Sequence, residues 1–255
     1  MMLNTVTHPA RTPSGNVPLV IVHGLYGLGR NFNSIARTLS ETRDVILVDQ
    51  RNHGDSPWFD THDYPAMAAD LAEMIGNGPV DLLGHSMGGK AVMHLALTQP
   101  ALVRRLVVAD IAPVAYDHDQ TQYIHAMRGL NLEDLTTRGE ADRRLAETLG
   151  SPGLRAFFLQ SLDLKAEPPR WKLNLDVLEQ DIPKIIGWTD AEGPFAKPTL
   201  FIAGGKSDYI TEQEHPAISK LFPAADIVTL PEASHWLHAE APREFEAAVM
   251  AFLDA

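Results

Sequence analysis

The feature that most narrows what this chain can fold into is the alternation of short apolar runs with stretches of helical period. The runs are Val17–Val22, Val45–Val48, Val80–Leu83, Val103–Ala109, Thr199–Ala203 and Ile227–Leu230. Each is strand-sized and mostly apolar without strict alternation, so as a strand it is expected to bury both faces. Between and after them lie Phe32–Leu39, Pro65–Ile75, Met87–Thr98, Thr211–Leu221 and Pro242–Leu253, which read as helices. Strands buried on both faces and separated by helices predict an α/β fold: a mostly parallel sheet with helices on both faces.

One stretch interrupts this rhythm. From about Ala115 to Gly193 the patterns are helical, as in Gln122–Met127, Glu140–Leu149, Gly153–Leu162 and Leu173–Ile185, and no convincing strand is found. Residues 1–112 and 194–255 then form the core, and 113–193 a helical cap inserted between two strands. A segment leaving the carboxyl end of a strand emerges where open α/β sheets bind ligands, so it is expected to act as a lid.

The bulk properties exclude more than they specify. The chain has 255 residues, enough for one core with an insertion, and no cysteine, which rules out disulfides, thiolate metal sites and a cysteine nucleophile. No metal and no cofactor are called for. A net charge of −12 speaks against nucleic acid and anionic membranes as partners. Residues 1–8 have neither the basic nor the apolar part of a signal peptide, and no apolar run approaches the ~20 residues of a membrane span. The expectation is a cytoplasmic protein with a small-molecule partner. Its oligomeric state is unknown from sequence.

The chemistry is carried by Gly84-His85-Ser86-Met87-Gly88, which joins a predicted strand to a predicted helix. In Gly-x-Ser-x-Gly the serine sits on a strained turn and the glycines clear space around it, exposing a nucleophilic hydroxyl at the helix N-terminus. The same residues contain the opening of a phosphate loop, Gly84-x-x-x-x-Gly89-Lys90. Residue 91 is Ala where a metal-binding hydroxyl is required, which disfavours nucleotide binding. An oxyanion site takes the Met87 N–H and, from the loop His23-Gly24-Leu25-Tyr26-Gly27, the Leu25 N–H. Of eleven histidines, His235 follows the last apolar run and is the candidate base; His238 is its competitor, or else caps the last helix. Asp110 and Asp208 both stand at strand ends in the order Ser…Asp…His and are both candidate acids. Tyr209 and Trp236 are candidate substrate-binding residues. Tyr116, Tyr123, Phe157 and Trp188 either line the pocket or fill the cap.

These segments resemble the α/β-hydrolase superfamily and, within it, the YbfF/ABHD11-like esterase subfamily. The resemblance is carried by His23–Gly27, Asp49-Gln50-Arg51-Asn52-His53-Gly54-Asp55-Ser56-Pro57, Gly84–Lys90, Asp110-Ile111-Ala112-Pro113-Val114 and His235–Glu240. It implies a serine carboxylesterase or thioesterase without cofactor, acting on a small acyl ester or thioester through a Ser-His-Asp triad and an acyl-enzyme. It puts the nucleophile at Ser86 and the base at His235. The subfamily pattern points to Asp110 as the acid, and that of the wider superfamily to Asp208. Asp49 and Asp55 look structural. A C–C bond hydrolase or another Ser-triad hydrolase would show the same triad, and a ligand receptor on this scaffold is a further alternative.

Overall fold

The computed structural model describes residues 2–255. The chain opens with β1 (Thr5–His8), β2 (Leu19–Val22), α1 (Asn33–Leu39), β3 (Val45–Val48), α2 (Tyr64–Ile75), β4 (Val80–His85), α3 (Met87–Thr98) and β5 (Val103–Ala109). An inserted segment follows: α4 (Thr121–Gly129), α5 (Arg138–Leu145), α6 (Pro152–Leu159), β6 (Leu162–Asp163), β7 (Arg170–Trp171) and α7 (Leu175–Ile186). The chain returns as β8 (Thr199–Gly204), α8 (His215–Leu221), β9 (Ala225–Leu230), α9 (Leu237–Glu240) and α10 (Pro242–Asp254).

Seven strands form one sheet in the order β1-β3-β2-β4-β5-β8-β9. Every pairing is parallel except that of β1 with β3. The predicted α/β architecture is therefore the one observed. The period-2 logic of a strand is visible in β2. Val20 and Val22 face a core shared with Met67, Leu71 and Val92, whereas Leu19 and Ile21 face a core shared with Phe32, Ile35 and Phe245. At the amino end of β4 the buried Asp81 is held by Arg43 (3.1 Å) and Arg104 (2.8 Å).

Three local features depart from the expectation. The edge strand β1 was not foreseen; its Thr-Val-Thr-His sequence is largely exposed and takes its register from β3 alone. Helix α8 starts at His215 rather than Thr211, because Glu214 folds back to accept from the Thr211 N–H (2.8 Å) and hydroxyl (2.7 Å), and Pro216 sits in the first turn. The inserted segment is helical but also holds the two-residue antiparallel ribbon β6–β7. Among the described residues no helix is long and apolar enough to cross a membrane.

Candidate active site

The site begins where β4 stops. Ser86 has φ 53° and ψ −124°, outside both strand and helix, and α3 starts at the next residue. Two hydrogen bonds hold this turn. The Ser86 N–H donates to Ala109 O (3.0 Å), extending the β4–β5 ladder, and the Lys90 N–H donates to Ser86 O (3.1 Å). The turn is too tight for side chains on either side. A Cβ on Gly84 would lie 2.4 Å from Gly88 O, and one on Gly88 would lie 2.4 Å from both Val22 O and His23 O.

His235 lies in the loop between β9 and α9. Its Nε2 is 3.0 Å from Ser86 Oγ and its Nδ1 is 2.8 Å from Asp110 Oδ2. Asp110 directly follows β5, has φ 51°, and is fully buried. Its N–H donates to Ile202 O (2.8 Å), its Oδ1 accepts from the Gly204 N–H (2.8 Å), and its Oδ2 also accepts from the Ser207 hydroxyl. A carboxylate surrounded by donors keeps the proton on His235 Nδ1 and leaves Nε2 free to accept from Ser86. The Tyr209 ring stacks on His235 with centroids 4.1 Å apart, and burial raises its hydroxyl to about 12, so it stays neutral. The His85 ring donates to His235 O (2.8 Å); burial pushes its pKa well below the ordinary value, which keeps a cation away from the His235 ring.

The loop after β2 lies against Ser86: a Cβ on Gly24 would stand 3.1 Å from Ser86 Cβ. Leu25 and Met87 both line the cavity beside Ser86. That cavity has a volume of about 460 Å³. Strand-end residues and the inserted segment wall it jointly, the latter through Tyr123, Leu154, Phe157, Phe158, Ile185 and Ile186. Lys90, the only lysine or arginine among the described lining residues, is buried and donates to Ile186 O (3.0 Å) and Gly187 O. Burial pushes its amine down to about 7.

The sequence matches the model of the alpha/beta hydrolase family over residues 19–248. It is 40% identical over 246 residues to the mouse sn-1-specific diacylglycerol lipase ABHD11, spanning 92% of this chain and 80% of that protein. It is 36% identical over 260 residues to the esterase YbfF of Escherichia coli, across 100% of both. A solved marine microorganism esterase superposes with a TM-score of 0.92 at 38% identity, covering 98% of this chain and 99% of that one. The chain belongs to the α/β-hydrolase family.

The resemblance to YbfF/ABHD11-type α/β hydrolases read from its motifs is thus borne out, and the protein is a hydrolase. Within this α/β hydrolase the two candidate acids separate. Asp110 reaches His235; Asp208 does not. The Asp208 side chain is 77% exposed, with its carboxylate 3.5 Å from His118. His238 neither reaches Ser86 nor caps α10, whose preceding residue is Ala241; its ring stacks on Phe32 at 4.4 Å and burial lowers it to about 3. Tyr116, Tyr123, Phe157, Tyr209 and Trp236 line the cavity, whereas Trp188 packs near Tyr64. The phosphate-loop reading fails physically. The space beside Gly84 is filled by the Gly88 backbone and that beside Gly89 by the Ile111 side chain, and the Lys90 amine is engaged by carbonyls. Sequence reasoning does not place Ser207 or His85 at the site, and it weighs Lys90 only as a phosphate-loop lysine. Of these only Lys90 carries a signal, as the one lysine on a mostly apolar helix, one turn beyond Ser86.

Proposed function

We propose that the protein is a serine esterase for small, uncharged acyl esters, with Ser86 as nucleophile, His235 as general base and Asp110 as the acid that orients it. The observation that carries this reading is the unbroken chain Ser86 Oγ–His235 Nε2 at 3.0 Å and His235 Nδ1–Asp110 Oδ2 at 2.8 Å, opening on the cavity. Ser86 Oγ attacks the ester carbonyl as His235 Nε2 takes its proton. The Leu25 and Met87 N–H groups donate to the developing oxyanion. His235 returns the proton to the departing alcohol, leaving an acyl-enzyme that water cleaves by the same steps. Relatives bearing the names esterase and diacylglycerol lipase support ester hydrolysis.

Charge favours an uncharged substrate over a coenzyme A thioester. Phosphates are held by lysine and arginine, and the one such side chain along the cavity among the described residues is already engaged, on a chain of net charge −12. The inserted residues 113–193, which contribute half of an apolar wall, serve as the lid over the core formed by 1–112 and 194–255.

The test is hydrolysis of p-nitrophenyl butyrate by wild type and Ser86→Ala. Loss of the nucleophile lowers kcat by about 10⁴-fold or more. Equal rates would sink the proposal.

A further inference from the structure

Among the described residues, the non-glycine residues with positive φ are Tyr26 (62°), Asn52 (63°), Ser86 (53°) and Asp110 (51°). A side chain is held in that region only where its surroundings impose it, and such residues gather at functional sites. Ser86 and Asp110 belong to the proposed triad. Tyr26 follows Leu25, the proposed oxyanion donor, and consecutive peptide units around it are each pinned.

The Leu25 N–H shares a rigid peptide plane with Gly24 O and points away from it. Gly24 O accepts from the Gly27 N–H (3.0 Å) and from His23 Nδ1 (2.8 Å), so the direction of the Leu25 N–H is set through that carbonyl. The next plane carries the Tyr26 N–H, which donates to His53 Nε2 (3.2 Å); the His53 tautomer is fixed because Nδ1 donates to Arg51 O (2.9 Å). The third plane carries the Gly27 N–H and, opposite it, Tyr26 O. That carbonyl accepts from Ser161 Oγ at 3.1 Å. Ser161 is fully buried and lies between α6 and β6, in the inserted segment. The Tyr26 hydroxyl donates to Gln120 O (2.9 Å), just before α4.

We infer that Ser161 is a positioning residue for the oxyanion site. Its hydroxyl holds Tyr26 O, and through the Tyr26–Gly27 and Gly24–Leu25 peptides it aims the Leu25 N–H at the reacting carbonyl. The inserted segment therefore governs transition-state stabilisation as well as access. This inference rests on the serine-esterase reading above. Linked hydrogen bonds also polarise one another, so the Ser161 donor strengthens the Gly27-to-Gly24 bond behind it.

The backbone of Ser161 is held independently of its hydroxyl, the N–H by Phe158 O (2.9 Å) and the carbonyl by the Lys172 N–H (2.8 Å). Ser161→Ala thus removes little else. The experiment compares wild type, Ser161→Ala and Ser86→Ala on p-nitrophenyl butyrate, together with inhibition by an alkyl trifluoromethyl ketone, whose serine adduct carries a tetrahedral oxyanion. The expected result for Ser161→Ala is a kcat about 10-fold lower at unchanged KM, with ketone affinity reduced by the same factor. A merely structural role would not link those two losses. A kcat within 2-fold of wild type, or a loss confined to KM, overturns the inference. If Ser161→Ala does not fold, Ser161→Cys, close in size but with a weak donor, decides: a kcat lowered at least 3-fold at unchanged KM supports the clamp, and an unchanged kcat overturns it. A wild type no faster than Ser86→Ala would instead mean that the esterase reading itself has failed.

Discussion

Replacing Asp110 by Asn keeps the shape of the side chain and reverses one hydrogen bond. The carboxylate accepts from the Gly204 N–H at Oδ1 and from His235 Nδ1 and Ser207 at Oδ2. Gly204 N–H is main chain and can only donate, so the single amide oxygen of Asn must stay on that side. The NH₂ group then faces His235. Ser207 can rotate to accept from it, but His235 must present a bare Nδ1, which moves its proton to Nε2. In that tautomer Nε2 cannot take the Ser86 proton, and the imidazolium formed during attack loses a buried counter-charge. The expected loss in kcat is about 10³- to 10⁴-fold, or about 4–5.5 kcal/mol of barrier. KM stays within about 2-fold because Asp110 has no exposure to the cavity. Steady-state hydrolysis of p-nitrophenyl butyrate measures both, with Asp208→Asn in parallel and expected within about 2-fold of wild type. Asp110→Asn retaining more than about a tenth of the wild-type rate, or Asp208→Asn losing about 10³-fold, would refute the reasoning.

Two further changes test the scaffold. The amine of Lys90 is pushed by burial from 10.5 down to about 7, so its charged form opposes folding. The penalty is full below pH 7, where both folded and unfolded chains bind the proton, and fades as pH rises toward 10.5. Urea midpoints for wild type and Lys90→Met are therefore expected to diverge in favour of wild type by up to about 5 kcal/mol over that range, and a pH-independent difference would contradict it. Asp81→Ala leaves the buried Arg43 without its buried partner and is expected to cost about 3–5 kcal/mol at an unchanged m-value, with kcat within about 2-fold because Asp81 sits at the far end of β4 from Ser86. A cost below about 1 kcal/mol in denaturant titration counts against this ion pair as a structural anchor.

What could be read in advance follows from how local each cause is. Strands β2 and β8 were legible because each is buried along its whole length, and an apolar run states that directly. Ser86 was legible because its strained turn demands glycines at fixed offsets. Strand β1 was not, since it is an exposed edge strand whose pairing is decided by β3. The choice between Asp110 and Asp208 was not legible from pattern either, because both follow a strand. It depends on the left-handed turn at Asp110, which lets Gly204 and Ser207 of the neighbouring strand end hold the carboxylate beside His235. Ser207 is one more small polar residue after Gly204-Gly205, and nothing in its local sequence announces its partner. Ser161 and Tyr26 are 135 residues apart and meet through one hydroxyl, which leaves no periodic trace.

The proposed triad and the proposed oxyanion loop are anchored by different parts of the molecule. Ser86 N–H to Ala109 O, Asp110 N–H to Ile202 O and Gly204 N–H to Asp110 Oδ1 carry the sheet's hydrogen bonding past the ends of β4, β5 and β8. The nucleophile and the acid are thus fixed by the sheet, whose rigidity sustains their unfavourable φ angles. The Leu25 N–H has no such ladder. Its peptide is oriented by a turn that His53 holds from the core and Ser161 from the inserted segment. A disturbance of the inserted segment should therefore leave the Ser86–His235–Asp110 geometry intact while weakening transition-state binding. That asymmetry lets the inserted segment tune the rate without touching the groups proposed to move the proton.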